Sequence, residues 1–196
     1  FLRRLTQEPL DEKLMESIRD FLAKDLLIRL PEDFAAASDS DKKKTLNHLL
    51  NRPLRVCGMV ENTGDPGGGP FWVKDPRSGR TPQIVETAQI DLNDPEQQSI
   101  LSQLGHFNPV DLVCGVRNWR GEKFNLTDYV DDRAVFIAAK SENGRDLKAL
   151  ELPGLWNGAM AFWNTVFVEV PKVTFNPVKE VTDLLNSHHQ PENAPD

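Results

Sequence analysis

Apolar residues recur at spacings of three and four early in the chain. Leu10, Leu14, Ile18, Phe21 and Leu22 lay one apolar stripe along a helix over about residues 10–24. A polar run, A-S-D-S-D-K-K-K, follows and leads into a shorter helix carrying Leu46, Leu49 and Leu50. Asn51-Arg52-Pro53 ends that helix, because the residue before a proline is pushed out of the helical region. From Leu54 the texture changes to strand and loop. Leu54 to Val60 reads as a strand, and Phe71 to Lys74 and Gln83 to Ile90 read as two strands joined by the turn D-P-R-S-G-R-T.

Pro95 to Leu104 follows as a short helix capped by Asp94. Val110 to Arg117, Val135 to Ala139 and Val166 to Val170 are further strands, and a last helix is expected from Pro177. Residues from His188 onward form a polar tail. Helices followed by mixed strands point to an α/β or α+β class.

The chain has 196 residues, with 39% hydrophobic and 27% charged. That is an ordinary globular balance with enough length for a real core. The formal net charge of −7 argues against general nucleic-acid binding, which needs a broad basic surface to displace counterions. No apolar stretch approaches the roughly 20 residues of a membrane span, and the start is not a secretory signal, so the expected location is cytoplasmic. The first residue is Phe1 rather than methionine, so the chain is expected to be a piece of a longer protein. Cys57 and Cys114 each lie in an apolar run and are expected to be buried free thiols.

Chemistry enters at four stretches. E-N-T-G-D-P-G-G-G-P, Glu61 to Pro70, is a glycine-rich loop without a Walker Gly-Lys-Ser/Thr. It reads either as backbone brought close to a ligand or as a flexible connection between strands. In P-Q-I-V-E-T-A-Q-I, strand alternation would place Glu86 on one face with Ile84, Ala88 and Ile90. A carboxylate among apolar neighbours needs a partner: ligand hydroxyls, or a salt bridge to Arg55 or Arg117. In H-F-N-P-V-D, Asn108 precedes a proline and must be extended or turned, which suits a polar group at the mouth of a strand, while His106 reads as a surface or loop histidine. Trp156, Met160 and Trp163 stand at helical spacings and read as a core-facing helix rather than an aromatic ligand platform. Asp128, Asp131 and Asp132 read as a solvated acidic loop rather than a metal site.

The last predicted helix poses its own question. In T-F-N-P-V-K-E-V-T-D-L-L, Lys179 falls in the first turn, where the helix dipole disfavours a cation. An anion bound at that helix end would account for it.

In this order the stretches resemble the C-terminal half of UDP-sugar pyrophosphorylases. Q-I-V-E-T resembles the motif whose glutamate binds sugar hydroxyls, a role that would fall on Glu86. H-F-N-P-V-D resembles F-N-x-x-N, which makes Asn108 a candidate sugar contact, with Asp111 at the second asparagine, Val110 at an intervening glycine and Gln89 where a second acid is usual. F-N-P-V-K-E-V-T-D-L-L resembles the motif whose lysine contacts nucleotide phosphates, which implies that role for Lys179. The backbone of Gly67, Gly68 and Gly69 would close over the sugar. More narrowly, L-N-R-P-L-R-V-C-G-M-V, P-G-G-G-P-F-W-V, H-F-N-P-V-D-L-V-C-G-V and L-E-L-P-G-L-W-N-G-A-M resemble the bacterial domain of unknown function 4301.

The resemblance implies an α/β fold: the C-terminal portion of a GT-A-like nucleotidyltransferase mixed sheet flanked by helices, with an N-terminal helical segment. Residues 1–50 would be helical, 51–186 the sugar-facing part and 187–196 a flexible tail. It implies a nucleotide or nucleotide-sugar ligand, and as partner the N-terminal half of the same protein. That half would carry the nucleotide loop and most ligands for Mg²⁺, so no metal ligand is assigned here. The implied reaction joins a sugar-1-phosphate to a nucleoside triphosphate with release of pyrophosphate, the isolated chain being inactive. A binding-only or regulatory protein is the alternative.

Overall fold

A computed structural model describes residues 1–64, 67–75 and 79–191. The first three helices are α1 (Leu2–Gln7), α2 (Glu12–Lys24) and α3 (Asp39–Leu50). The stripe read from sequence is the buried one: Leu14, Ile18 and Leu22 of α2 pack with Leu46 and Leu49 of α3, joined by Leu5, Leu26, Ile28 and Phe34. Asp11 caps α2 by accepting the Leu14 N–H (2.7 Å), and Ser38 caps α3 by accepting the Asp41 N–H (3.2 Å).

The central strand is β1 (Leu54–Glu61). After it come the hairpin strands β2 (Gly69–Asp75) and β3 (Gly79–Val85), then α4 (Pro95–Leu101), β4 (His106–Phe107) and β5 (Leu112–Gly115). A second hairpin, β6 (Phe136–Glu142) and β7 (Arg145–Glu151), precedes β8 (Asn164–Glu169). β1 pairs antiparallel with β5 over Leu54–Cys57 and with β4 at Val60 and Glu61, and parallel with β8 over Leu54–Met59. The chain is therefore of mixed α/β class. Leu54 of β1 and Val166 of β8 rest on the helical core, and Asn164 Nδ2 donates to the Leu49 carbonyl (3.0 Å). The opposite face of β1 presents Cys57 and Met59 to Ile84 of β3. Between them, these two layers position the site.

Several expectations are corrected. The second hairpin strand ends at Val85, not Ile90, because Glu86 caps a 3-10 turn, Thr87–Gln89; its turn residues 76–78 lie outside the described residues. Trp156 to Trp163 forms turns, not a helix. No α-helix starts at Pro177: a 3-10 turn runs Val181–Leu185 with Glu180 as its cap. The Asp183 carboxylate accepts the N–H groups of Glu180 (2.9 Å) and Lys179 (2.7 Å), which starts the turn there. Those two bonds, Glu180 first, hold the Asp183 carboxyl below its usual range. Val181 and Leu185 are 83% and 76% exposed, so no buried apolar face supports a longer helix. Within the expected polar tail, Ser187–His189 makes a 3-10 turn with Asn186 accepting the His188 N–H; residues 192–196 lie outside the described residues.

Cys114 is also a correction. It is exposed while Cys57 is buried, because only Leu112 of the short strand β5 packs on the core and the rest of the strand is exposed, its neighbour Val113 to 73%. Burial, the largest influence on Cys57, pushes its thiol up to about 11, so the reactive thiolate is scarce at neutral pH. Titration of the native chain with a disulfide reagent should release one thiol equivalent, and two in denaturant. Two equivalents in the native state would contradict this placement.

Candidate functional site

Between β4 and β5 the chain leaves the edge of β1 at Asn108-Pro109-Val110-Asp111 and rejoins it opposite Gly58. Asn108 is 2% exposed and its amide holds this excursion in place. Nδ2 donates to the Gly58 carbonyl (2.7 Å), and Oδ1 accepts the Val110 N–H (2.7 Å). Val110 is thereby held at φ +75°, a left-handed conformation unusual for a β-branched residue. The Gly58 N–H completes the clamp by donating to the Asp111 carbonyl (3.0 Å).

The glycine run lies against this excursion, with the Gly68 carbonyl accepting the Asn108 N–H (2.9 Å). The need for glycine here comes from the protein itself. A Cβ on Gly67 would stand 2.9 Å from Phe107 Cδ2, one on Gly68 2.4 Å from Ile84 Cγ2, and one on Gly69 2.4 Å from Leu104 Cδ1. Asp65 and Pro66 of the same loop lie outside the described residues.

Glu86 stands across the opening, at the point where β3 gives way to the 3-10 turn. Its side chain accepts from the Gln89 backbone while Gln89 Oε1 accepts the Glu86 N–H (2.9 Å). Neither suggested arginine pairs with it: Arg55 is engaged with Gln83 and Thr165, and Arg117 donates to the Gly121 carbonyl (2.8 Å). A half-buried carboxylate is thus held by a local cap and keeps acceptor capacity for an incoming hydroxyl donor.

The cleft so formed has a volume of about 490 Å³. Gly67, Gly68, Glu86 and Asn108 line it together with Phe107, Trp156 and Phe175. The structure therefore gathers residues from three separate motifs. Gly69 and Asp111 flank the cleft without lining it, and Asp111 contributes its backbone carbonyl to the Asn108 clamp (3.4 Å). Lys179 is exposed and outside the lining.

Sequence reasoning missed Phe107, Phe175 and Lys172. Phe107 and Phe175 meet edge to face, with centroids 5.0 Å apart. The Lys172 ammonium lies over both rings, at 5.6 and 5.5 Å, and donates to Thr63 Oγ1 (2.9 Å). The signal was the aromatic residue inside each predicted motif, H-F-N and T-F-N, which periodicity alone assigns to the core. His106 of β4 approaches Glu169 of β8 at 3.6 Å. Asp128 accepts from Asn125 (2.8 Å) and Asp131 pairs with Arg133 (3.0 Å). Among the described residues no group of three or more His, Cys, Asp or Glu side chains could hold a metal ion. No described helix is long and apolar enough to cross a membrane.

The sequence matches, over residues 1–190, the family described as Domain of unknown function (DUF4301), and the chain belongs to that family. No curated protein matches. Similar solved structures include three mutant forms of UDP-glucose pyrophosphorylase from Leishmania major in complex with UDP-glucose. Two are 18% identical, with TM-scores of 0.42 and 0.41, covering 78% of this chain. The third is 16% identical, with a TM-score of 0.41, covering 76%. The chain spans about a third of the length of these structures (33–34%).

Proposed function

We propose that this DUF4301 member is the sugar-facing part of a longer nucleotidyltransferase-like protein, and that its cleft holds the sugar of a nucleotide sugar. The observation that carries the reading is the convergence of Gly67-Gly68, Glu86 and Asn108 on one cleft. These are the residues whose motifs resemble the sugar-binding elements of UDP-sugar pyrophosphorylases. Glu86 accepts sugar hydroxyls, the aromatic wall takes the apolar face of the ring, and the Gly67-Gly68-Gly69 backbone closes the opening. Asn108 acts chiefly by holding the loop, with one lone pair of Oδ1 left for a hydroxyl, and Asp111 fixes the other end of that loop.

In the longer protein the reaction would be attack of a sugar-1-phosphate on a nucleoside triphosphate, releasing pyrophosphate. Such transfer depends on positioning and charge neutralisation. Lys179 would neutralise phosphate charge, and Mg²⁺ would be held by residues outside this chain. The exposed cross-strand pair Ile137 and Leu150 on the β6–β7 hairpin supports a further chain segment that covers that hairpin. The chain alone should release no pyrophosphate from UTP and a sugar phosphate, and release above background would contradict the division of the site. In the longer protein, Lys179→Ala should lower nucleotide affinity or turnover roughly tenfold or more, the worth of one charge-assisted contact. Unchanged constants would remove Lys179 from the site.

One observation favours a second reading, a binding-only or regulatory protein: Lys179 stands outside the cleft in this structure. That reading predicts that nucleotide sugars raise the melting temperature of the longer protein without any turnover.

A further inference from the structure

The face of β1 that carries Cys57 and Met59 also carries Arg55, which is 1% exposed. Its Nε donates to Thr165 Oγ1 (2.9 Å) and its Nη2 to Gln83 Oε1 (2.6 Å). Its Nη1 reaches only the Met160 sulfur, at 3.5 Å, a weak acceptor. A guanidinium has five N–H donors, so this one is under-used as well as unpaired. Burial, the largest influence, lowers its pKa, and only the thiols of Cys57 and Cys114 oppose that. Among the described residues no carboxylate forms an ion pair with it. A buried cation without a counter-charge is costly, and the fold keeps it.

A cavity of about 160 Å³ lies against Arg55. At ~30 Å³ per water it has room for roughly five waters, enough for a compact oxyanion group. Trp156 forms part of its wall and of the cleft described above, so the two spaces are neighbours. Among the described residues the charged ones lining the cavity are Arg55, Lys74, Arg133 and Asp131, and Asp131 is bound to Arg133 at 3.0 Å. This described lining is net positive in a chain whose formal net charge is −7. Thr81 and Gln83 supply neutral polar groups on the β3 side.

We propose that this cavity binds a small oxyanion, a phosphate or carboxylate group, with the Arg55 guanidinium as its principal donor. Arg55 is 1% exposed, so Met160, which also lines the cavity, swings aside as the anion enters and takes the Nη1 hydrogens now turned toward its sulfur and the free Nη2 hydrogen. A guanidinium offers these in a fork that fits two oxygens of one group. The site is separate from the proposed sugar cleft and stands whether or not that cleft binds a sugar.

The test uses the chain labelled with ¹⁵N-arginine, titrated with sodium phosphate, sodium acetate or sodium chloride at matched ionic strength. The Arg55 Nε–Hε resonance, assigned through its bonds to the backbone, should shift saturably with at least one oxyanion and not with chloride. Saturation by phosphate alone identifies a phosphoryl ligand, and saturation by acetate alone a carboxylate. Arg55→Met should lower calorimetric affinity for that anion at least about tenfold, and Arg133→Met by less. Absence of a saturable shift with either oxyanion, or an equal shift with chloride, overturns the proposal without recourse to any variant.

Discussion

Gly79→Ala is expected to be the most destabilising conservative substitution in the chain, at about 2–5 kcal/mol. Two costs add. Gly79 has φ +82°, where an L side chain costs roughly 1–2 kcal/mol. A Cβ there would stand 2.1 Å from the Arg29 carbonyl oxygen, and backbone yields less than a side chain, so overpacking adds about 1–3 kcal/mol. The contact is where the helical layer meets the β2–β3 hairpin, through the Arg29 N–H donating to the Arg80 carbonyl (3.1 Å). At roughly 2–4 °C per kcal/mol for this size, the melting midpoint should fall by roughly 4–20 °C. An unchanged midpoint in a thermal denaturation scan would show that the two layers do not meet as described.

Glu86→Gln should leave the fold intact and weaken nucleotide-sugar binding roughly 10- to 100-fold. The glutamine keeps an oxygen for the cap on Gln89 but loses the charge and an acceptor. Each charge-assisted hydroxyl contact so lost is worth about 1.5–3 kcal/mol. Calorimetry with UDP-glucose on the longer protein reads the affinity, and a denaturation midpoint on the same sample reads the fold. A large loss of stability at unchanged affinity would make Glu86 a structural cap alone.

Elements whose signals were local were legible in the sequence. The α2 stripe, the Asp94-Pro95 start of α4 and the strand before the glycine run follow from spacing, caps and the limits proline imposes. Strand β7 was missed although Asn143 and Gly144, at φ +52° and +76°, are the residues a two-residue hairpin turn requires. Its residues alternate weakly and both hairpin strands are largely exposed, so no apolar period marked them. The last helix failed for the opposite reason. Val178, Val181 and Leu185 have helical spacing, but the structure offers them no surface to pack on, and Asp183 draws the local N–H groups into a short turn.

The site was legible only as separate motifs. Glu86, Asn108 and the glycines could be picked out because a buried carboxylate, an Asn-Pro step and a glycine run each need explaining. Their convergence depends on β4 and β5 pairing in succession with β1, a long-range register that periodicity does not encode. Arg55 passed unnoticed as a site for the same reason, since its burial comes from the hairpin folding over β1.

Saturation-transfer NMR of this chain with UDP-glucose tests the central claim most directly, because it reports which part of the ligand touches the protein. If the cleft of Gly67, Gly68, Glu86 and Asn108 is the sugar-facing part of a divided site, saturation should be strongest on the glucose ring protons. It should be weak on the uracil protons and should fall in Glu86→Gln. Saturation centred on the uracil, or a glucose pattern unchanged by Glu86→Gln, would contradict it.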